Sequence, residues 1–403
     1  MNVLILGGYT PAHRRLLQTE NVKLYLFHYT KAIKSYYSEI YEMIFTFKDL
    51  NRLQWVRYGE QLNTDVKIDA IITFDDDLHK VALDLSSLLN IPYLYNENIV
   101  ELMVDKHKMR TYLKKSGFSN ISSIVLNSKE DLINSFLTLS TDDIIVKPID
   151  GAGSKYIYKL NKFENIELFY NHLVALMDKL TFIIEPYLKG IEYSVEAYSE
   201  DGVHKVYCIT KKYKDSHFVE MGHTIPAQLD NNTIDNITDF ITKFLNIIKF
   251  ENGPSHTEII VSENKINLVE SQARVGGDMI NELYEASTGQ DILTSIVKGM
   301  IGFKVINDIK SLKELKDYKY STILYRPSIN GTVTKIEVDE SIRNTKGILG
   351  HRLWIKEGDK LSINHSSSGR IAQVWAVSSN SDESYKLAEK GLQYIRIETT
   401  HEI

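Results

Sequence analysis

The first hundred residues alternate short apolar runs with stretches of helical periodicity. The apolar runs lie at 3–6, 22–27, 68–74 and 91–95, and a helix-like pattern separates the last two. Strands that alternate with helices at these intervals are typical of a parallel α/β unit. The pattern therefore predicts such a unit over residues 1–96. Its turn at Gly7-Gly8 lacks a third glycine and is followed by Pro11, which argues against a dinucleotide-binding loop.

A second unit is predicted to begin near residues 104–118. Asp105 can cap a helix that ends at Gly117. Single strands are predicted at 144–148, 156–160 and 182–188, hairpins at 192–210 and 255–271, and a helix at 233–248. Short strands resume after residue 320 and precede a final helix, so the C-terminal unit is predicted to be β-rich.

Composition and charge narrow the class of protein. A chain of 403 residues predicts two or three packed units, and its net charge of −6, without a dense basic run, argues against nucleic-acid binding. One cysteine, Cys208, excludes an internal disulfide framework and fits a reducing compartment. The start of the chain lacks the features of a signal peptide, and no apolar run reaches 18 residues. We therefore expect a cytoplasmic protein without a membrane partner.

The hairpin at 255–271 places two glutamates opposite each other. A loop at 263–265 would pair Ile260 with Leu268 and Glu258 with Glu270. Like charges on directly opposed positions destabilise a sheet unless they share a proton or bind a cation. A two-residue loop would instead separate the two glutamates onto different faces.

Two further polar residues follow on the same strand. Because side chains alternate between faces, Gln272 and Arg274 project on the same side as Glu270. Two carboxylates, an amide oxygen and a guanidinium are suited to Mg²⁺ and a terminal phosphate. The alternative is a solvent-exposed hairpin face on which Arg274 pairs with the glutamates.

A glycine-containing loop follows the strand that ends in Lys147 and Pro148. Residues 150–154, DGAGS, offer backbone N–H groups that side chains do not obstruct, which suits phosphate oxygens. Downstream, Glu185 ends another strand and Glu192 follows seven residues later. Backbone groups at such a strand end can read an adenine and a carboxylate can hold a ribose diol. Taken singly, a lysine at the end of a strand is more often structural.

A third group of polar residues suggests an amino-acid site. Glu220 and His223 can hold an ammonium group by charge and hydrogen bonds, or they can simply contact each other in a loop. Lys212 is a further candidate. Asp278, beside Gly277, favours a cationic group such as a basic side chain, or it caps the helix that follows.

The order of these motifs along essentially the whole chain resembles the ATP-grasp superfamily. The resemblance implies a mixed fold of α/β and α+β units in three parts. These are a Rossmann-like domain at 1–96 that does not bind the nucleotide, an ATP-grasp domain at 97–320 with a lid at about 120–188, and a β-rich C-terminal domain at 321–403 similar to that of biotin carboxylase.

The same resemblance implies a role for each matching residue. It assigns the ATP phosphates to Lys106, Lys147 and the loop of Gly151, Gly153 and Ser154, the adenine to Glu185, Tyr187 and Leu188, the ribose to Glu192, the metal to Glu258, Glu270 and Gln272, and the transferred phosphoryl to Arg274. The metal would be Mg²⁺, with Mn²⁺ as the alternative. The superfamily usually has asparagine where this chain has Gln272, so ligation by Gln272 stays open.

A narrower resemblance lies in residues 209–227. Their F-x-E-x-x-H-x-x-P-A pattern is similar to that of the bacterial L-amino-acid ligases of the bacilysin-synthetase type. It implies that two amino acids are joined through an aminoacyl phosphate with release of ADP and phosphate, by a protein that can form a homodimer. The substrate site would comprise Lys212, Glu220, His223, Arg274, Gly277 and Asp278, with Lys147, Glu220, His223 and Arg274 as catalytic residues. The alternatives are loading of an amino acid onto a carrier protein or another amine, a non-catalytic nucleotide-binding protein, and a carboxylase or kinase.

Overall fold

The computed structural model describes residues 1–263 and 265–400. Within those residues the strands form four sheets, and helices pack against them. No helix in this described part is long and apolar enough to cross a bilayer. The predicted combination of α/β and α+β units is confirmed.

The N-terminal sheet is parallel, with strand order β3-β2-β1-β4. Its elements are β1 (Asn2–Leu6), α1 (Thr10–Leu17), β2 (Lys23–Tyr29), β3 (Met43–Phe47), α2 (Arg52–Val66), β4 (Ala70–Thr73) and α3 (His79–Leu89). The prediction missed the edge strand β3, and the strand that it placed at 91–95 is wrong. The apolar pattern there arises because buried Tyr95 packs against Phe250, with ring centroids 5.5 Å apart.

A second, antiparallel sheet has the order β5-β8-β6-β7 and is called the lid sheet here. Its segment contains α4 (Glu97–Val104), α5 (Lys106–Lys115), β5 (Ile124–Leu126), α6 (Lys129–Thr138), β6 (Asp143–Pro148), β7 (Tyr158–Asn161), α7 (Ile166–Met177) and β8 (Phe182–Pro186). The Asp105 carboxylate accepts a hydrogen bond from the Lys108 backbone N–H at 2.9 Å, and Gly117 has a φ of +74°. Both ends of α5 are therefore as predicted.

The third sheet has eight antiparallel strands and forms the centre of the molecule. The chain continues through β9 (Ile191–Glu200), β10 (Val203–Lys214), β11 (Glu220–Ile225), α8 (Asn231–Ile248), β12 (Gly253–Ser262), β13 (Lys265–Gln272), α9 (Ile280–Thr288) and α10 (Ile292–Met300). Helix α8 buries Ile237, Ile241, Phe244 and Ile248 completely. This i, i+4, i+7, i+11 spacing is one apolar face of a helix, which packs α8 against the protein core.

The remaining elements complete the third sheet and form a fourth. They are β14 (Tyr320–Pro327), β15 (Gly331–Val338), α11 (Ser341–Asn344), β16 (Ile348–Leu353), β17 (Lys360–Leu361), β18 (Arg370–Ser378), α12 (Ser381–Gln393) and β19 (Ile395–Thr400). The eight strands have the order β13-β12-β9-β10-β11-β14-β18-β16, and the small sheet the order β17-β15-β19. Strands from both sides of residue 320 share the eight-stranded sheet. The predicted domain boundaries at residues 96 and 320 stay predictions. Residues 401–403 of the last predicted domain lie outside the described residues.

The pairing of β12 with β13 places Glu258 directly opposite Glu270, as predicted. The predicted register also holds for His256 and Thr257, but between the glutamates and the loop it is wrong, because a bulge between Glu258 and Ile259 shifts it by one residue. Ile260 therefore faces Asn267 and not Leu268.

The predicted loop at 263–265 also changes. Lys265 already belongs to β13, where it pairs with Ser262, and Asn264 lies outside the described residues. The bulge compensates for this shorter connection, which is why the two glutamates still face each other.

Candidate active site

A cavity of about 820 Å³ is lined by the lid sheet, the eight-stranded sheet and the end of the N-terminal sheet. It brings together nearly all of the predicted site residues: Lys106, Lys147, Gly151, Gly153, Ser154, Glu185, Tyr187, Leu188, Glu192, Lys212, Glu220, Glu258, Glu270, Gln272, Arg274, Gly277 and Asp278. His223 is the exception, since it is fully buried and does not line the cavity.

On the lid side of the cavity, Glu185 lies between two cations. Its Oε2 is 2.8 Å from Lys147 Nζ, and its Oε1 accepts a hydrogen bond from Arg110 Nε at 2.7 Å. Burial alone would raise the pKa of Glu185, but Arg110 and then Lys147 lower it to about 2. Both carboxylate oxygens of Glu185 are thus engaged by cations within the protein.

Helix α5 connects the lid to the eight-stranded sheet. Lys106 and Arg110 lie one turn apart on one face of the helix. Lys106 Nζ donates to the Gly151 carbonyl oxygen at 2.8 Å and lies 3.1 Å from Glu270 Oε2, while Arg110 donates to the Leu268 carbonyl oxygen at 2.7 Å. Sequence reasoning missed Arg110, although its position four residues after Lys106 was a usable signal.

The paired glutamates of β12 and β13 offer oxygen ligands. Lys212 forms an ion pair with Glu258, and Gln272 Nε2 donates to Glu270 Oε1 at 2.7 Å. The Gln272 Oε1 atom is buried and has no hydrogen-bond partner among the described residues. Two carboxylates and a free amide oxygen fit a hard divalent cation. No group of three or more His, Cys, Asp or Glu side chains in the described part of the chain forms a metal site.

Arg274 is held by the N-terminal unit. Its Nε donates to Asp76 Oδ2 at 3.0 Å, and its NH1 donates to the Val275 carbonyl oxygen at 3.0 Å. Burial would lower the pKa of Arg274, but Asp76 raises it. Asp75 also lines the cavity, and burial raises its pKa to about 6. The prediction missed both aspartates, although ligands commonly bind at the carboxyl ends of parallel strands, where these residues follow β4.

At the other end of the cavity, Glu220 is bound from two sides. Its Oε1 lies 2.6 Å from His223 Nδ1, and its Oε2 lies 3.4 Å from Lys212 Nζ. Burial opposes the charge, but Lys212 and His223 hold the pKa of Glu220 well below its usual range. His223 therefore contacts Glu220 and not the cavity.

The carboxylate of Asp278 also has a partner. Arg370 NH1 donates to its Oδ2 at 2.7 Å, which compensates its charge and weakens the case for a basic substrate. Helix α9 begins at Ile280 after Met279, whose side chain makes no capping bond, so the interpretation of Asp278 as a helix cap is wrong. Arg370 is the first residue of β18, and nothing in the local sequence indicated its role.

His256 was also missed. Its Nδ1 lies 2.6 Å from Glu196 Oε1, and its Nε2 lies 3.6 Å from Glu258 Oε1. Burial would lower the pKa of His256, but Glu196 raises it to about 9. A charged imidazole thus lies next to Glu258. His256 and Glu258 are two residues apart on β12, and this spacing, which places side chains on one face of a strand, could have indicated His256.

This geometry agrees with comparisons to known proteins. Residues 140–282 match the family model of the ATP-grasp domain. Over these residues, about a third of its length, the chain is similar to the ATP-grasp domains. Residues 325–400 match the family model of the L-amino acid ligase C-terminal domain 2, so this part of the chain is similar to the L-amino acid ligases.

A protein of similar sequence is also named as a ligase. The alanine–anticapsin ligase of Bacillus subtilis is 26% identical over 197 residues. The aligned segment covers 43% of this chain and 41% of that protein, so the match spans less than half of the relative's length.

Solved structures extend the likeness of fold to the whole chain. The L-amino acid ligase from Bacillus licheniformis has a TM-score of 0.82 at 17% identity, with 99% of each chain covered. The biotin carboxylase domain of the 2-oxoglutarate carboxylase from Hydrogenobacter thermophilus, solved with MgADP, has a TM-score of 0.73 at 15% identity, covering 98% of this chain and 90% of that one. The predicted likeness to biotin carboxylase is confirmed at the level of the fold.

Proposed function

We propose that this protein is an ATP-dependent carboxylate–amine ligase that joins two L-amino acids. The observation that carries the proposal is the single cavity that holds the lid loop, the paired glutamates and Arg274 together with Glu220 and Asp278. Nucleotide-type and amino-acid-type groups thus share one space, as transfer between them requires. The match of the C-terminal region to an L-amino acid ligase domain supports the choice of amino acids as substrates.

The nucleotide would occupy the side of the cavity next to the lid sheet. Lys106 and Lys147 would bind phosphate oxygens, and the 151–154 loop would cover them. Tyr187 and Leu188 would read the adenine through their backbone, and Glu192, which accepts from Lys214 Nζ at 2.6 Å, would hold the ribose.

A metal ion fits this arrangement. Glu258, Glu270 and the unpartnered oxygen of Gln272 would hold Mg²⁺, with Mn²⁺ as the alternative. When bound, a divalent cation would supply charge neutralisation for the phosphates.

The reaction would proceed in two steps. A carboxylate oxygen of the first amino acid attacks the γ-phosphorus of ATP, the bond to the β–γ bridging oxygen breaks, and ADP leaves. The amine of the second amino acid then attacks the carbonyl carbon of this acyl phosphate. A C–N bond forms, the C–O bond to phosphate breaks, and the proton that the amine loses passes to the released phosphate.

The side chains of the cavity would stabilise charge and exclude water. Arg274 would bind the transferred phosphoryl group, since a guanidinium matches phosphate oxygens. Glu220 and Asp278 would accept hydrogen bonds from the amino group of a substrate, and Lys212 would attract its carboxylate. His223 would hold Glu220 in place. Closure of the lid loop would protect the acyl phosphate from hydrolysis.

The direct test is to supply MgATP with each amino acid singly and in pairs, and to measure phosphate release together with product mass. We expect phosphate release to depend on amino acids and a product whose mass is that of two amino acids less one water. Phosphate release that is independent of every amino acid would contradict the proposal. A cytoplasmic location and a homodimer are further proposals, the latter in line with the dimer described for the biotin carboxylase domain above.

A further inference from the structure

Arg370 joins three separate segments of the chain. It is 7% exposed, and each guanidinium nitrogen has its own acceptor. Nε donates to the Glu220 carbonyl oxygen at 3.0 Å, NH1 to Asp278 Oδ2 at 2.7 Å, and NH2 to Ser367 Oγ at 3.1 Å. The guanidinium carbon also lies 3.9 Å from the centroid of the Tyr325 ring, so the fork is stacked as well as hydrogen-bonded. Two of the three segments are walls of the proposed amino-acid pocket.

The third segment, the turn that contains Ser367, touches the lid. The Ser367 backbone N–H donates to the Gly153 carbonyl oxygen at 3.0 Å. Both residues line the cavity. Ser367 therefore connects the lid loop to the C-terminal region. Its backbone binds Gly153 of the loop, and its side chain accepts a hydrogen bond from Arg370.

We propose that Arg370 is a positioning residue that couples the amino-acid pocket to closure of the lid. It fixes Asp278 and the start of β11 on one side and the Ser367 contact with the lid on the other. A lysine cannot replace it, because a single ammonium on a flexible stem does not reproduce three directed bonds. The assignment of Asp278 and Glu220 to the pocket rests on the proposed function, whereas the contact with the lid does not.

Matched variants separate the two parts of this coupling, which are the hydrogen bonds of Arg370 and the contact between Ser367 and the lid loop. Arg370→Lys keeps the charge but loses the fork. Ser367→Pro removes the N–H that binds Gly153, and proline fits because Ser367 opens a short 3-10 turn after an extended Ser366 with φ −156° and ψ 167°. Ser367→Ala loses the hydroxyl and keeps the N–H, and Arg396→Lys alters an exposed arginine of the same region.

The first readout is kinetic, with the most active amino-acid pair. In Arg370→Lys we expect the amino-acid KM to rise about tenfold or more, since charged hydrogen bonds are lost. ATP hydrolysed per product should also rise, while the KM for ATP stays near that of the wild type. Ser367→Pro should raise hydrolysis per product more than Ser367→Ala does, and Arg396→Lys should match the wild type.

The second readout is amide hydrogen exchange of residues 150–156 with a non-hydrolysable ATP analogue. The wild type and Ser367→Ala should be protected, and Ser367→Pro and Arg370→Lys should not. A folded Arg370→Lys protein with unchanged amino-acid KM, or with a fully protected lid loop, would overturn the inference. If Arg370→Lys does not fold, equal exchange in the two Ser367 variants would overturn the link to the lid. Failure of the proposed function is distinct, since the wild type itself would then release no phosphate in response to amino acids.

Discussion

Two groups of buried charge in the same cavity are built differently. The anchor cluster consists of Arg110, Lys147 and Glu185, and every charge in it has a close partner. The reactive cluster consists of Lys106, Lys212, Glu258, Glu270, Gln272 and Arg274. It leaves the buried oxygen of Gln272 without a hydrogen-bond partner among the described residues. The first cluster is paired throughout, although Lys147 also lines the cavity and is a proposed phosphate ligand, whereas the second cluster holds an oxygen that is free to take a ligand.

The exposure of the two clusters differs in the same sense. The side chains of the anchor cluster are 2–7% exposed, whereas those of the reactive cluster range from 5% at Lys212 to 21% at Glu270 and Arg274. A buried ion pair is costly to break, because removal of one partner leaves the other charged in a medium of low dielectric. We therefore expect the anchor cluster to determine stability and the reactive cluster to determine turnover.

The largest effect should come from Glu185→Gln. It leaves Arg110 and Lys147 buried beside a neutral group, so the free energy of unfolding should fall by about 3–5 kcal/mol in urea titrations. The matched control is Glu167→Gln, which breaks an exposed pair with Lys129 and should cost less than about 1 kcal/mol. Equal losses in the two variants would remove the distinction between the clusters.

Arg274→Lys should lower turnover and leave stability nearly unchanged. If Arg274 binds the transferred phosphoryl group as proposed, phosphate release should fall about 10²–10³-fold, because one directed donor is lost. The melting temperature should change little, since a lysine can still pair with Asp76. Arg352→Lys, at an exposed position, is the control for activity. A variant that keeps full activity would take Arg274 out of the reactive cluster.

The pH dependence of stability should single out the anchor cluster. The pKa of Glu185 is lowered from an ordinary 4.5 to about 2 in the folded protein. Its contribution, about 3 kcal/mol at most, is thus present above pH 4.5 and is lost as the pH falls from 4.5 towards 2. The measurement is the difference in unfolding free energy between wild type and Glu185→Gln, which should shrink in that window. A constant difference would contradict the assignment.

The smallest effect is expected from Asp105→Ala. Helix α5 supplies Lys106 to the reactive cluster and Arg110 to the anchor cluster, and Asp105 caps its first turn. Loss of the cap should lower the unfolding free energy by about 1 kcal/mol. Asp105→Asn retains a capping oxygen and should lose much less. If the two variants are equal, the cap does not stabilise α5.

The sequence predicted a feature correctly where the residues that form it are close together in the chain. The glutamate pair was predictable because both residues lie on one hairpin, and α5 was predictable from its cap and its terminal glycine. The pairing beyond Glu258 was not, since a bulge has no clear signature in a single strand. The strand predicted at 91–95 failed because a buried tyrosine, Tyr95, which packs against Phe250, imitates the apolar pattern of a strand.

The sequence by itself determined the order of the units, most strands and helices, and the residue types that nucleotide and amino-acid chemistry require. Only the tertiary structure decided which partners hold them. The partners of Arg110, Asp76, His256 and Arg370 could not be inferred, because each partner lies at least 60 positions away in the chain. Such pairs arise when separate sheets close around one cavity, and no local pattern of apolar and polar residues encodes that distance.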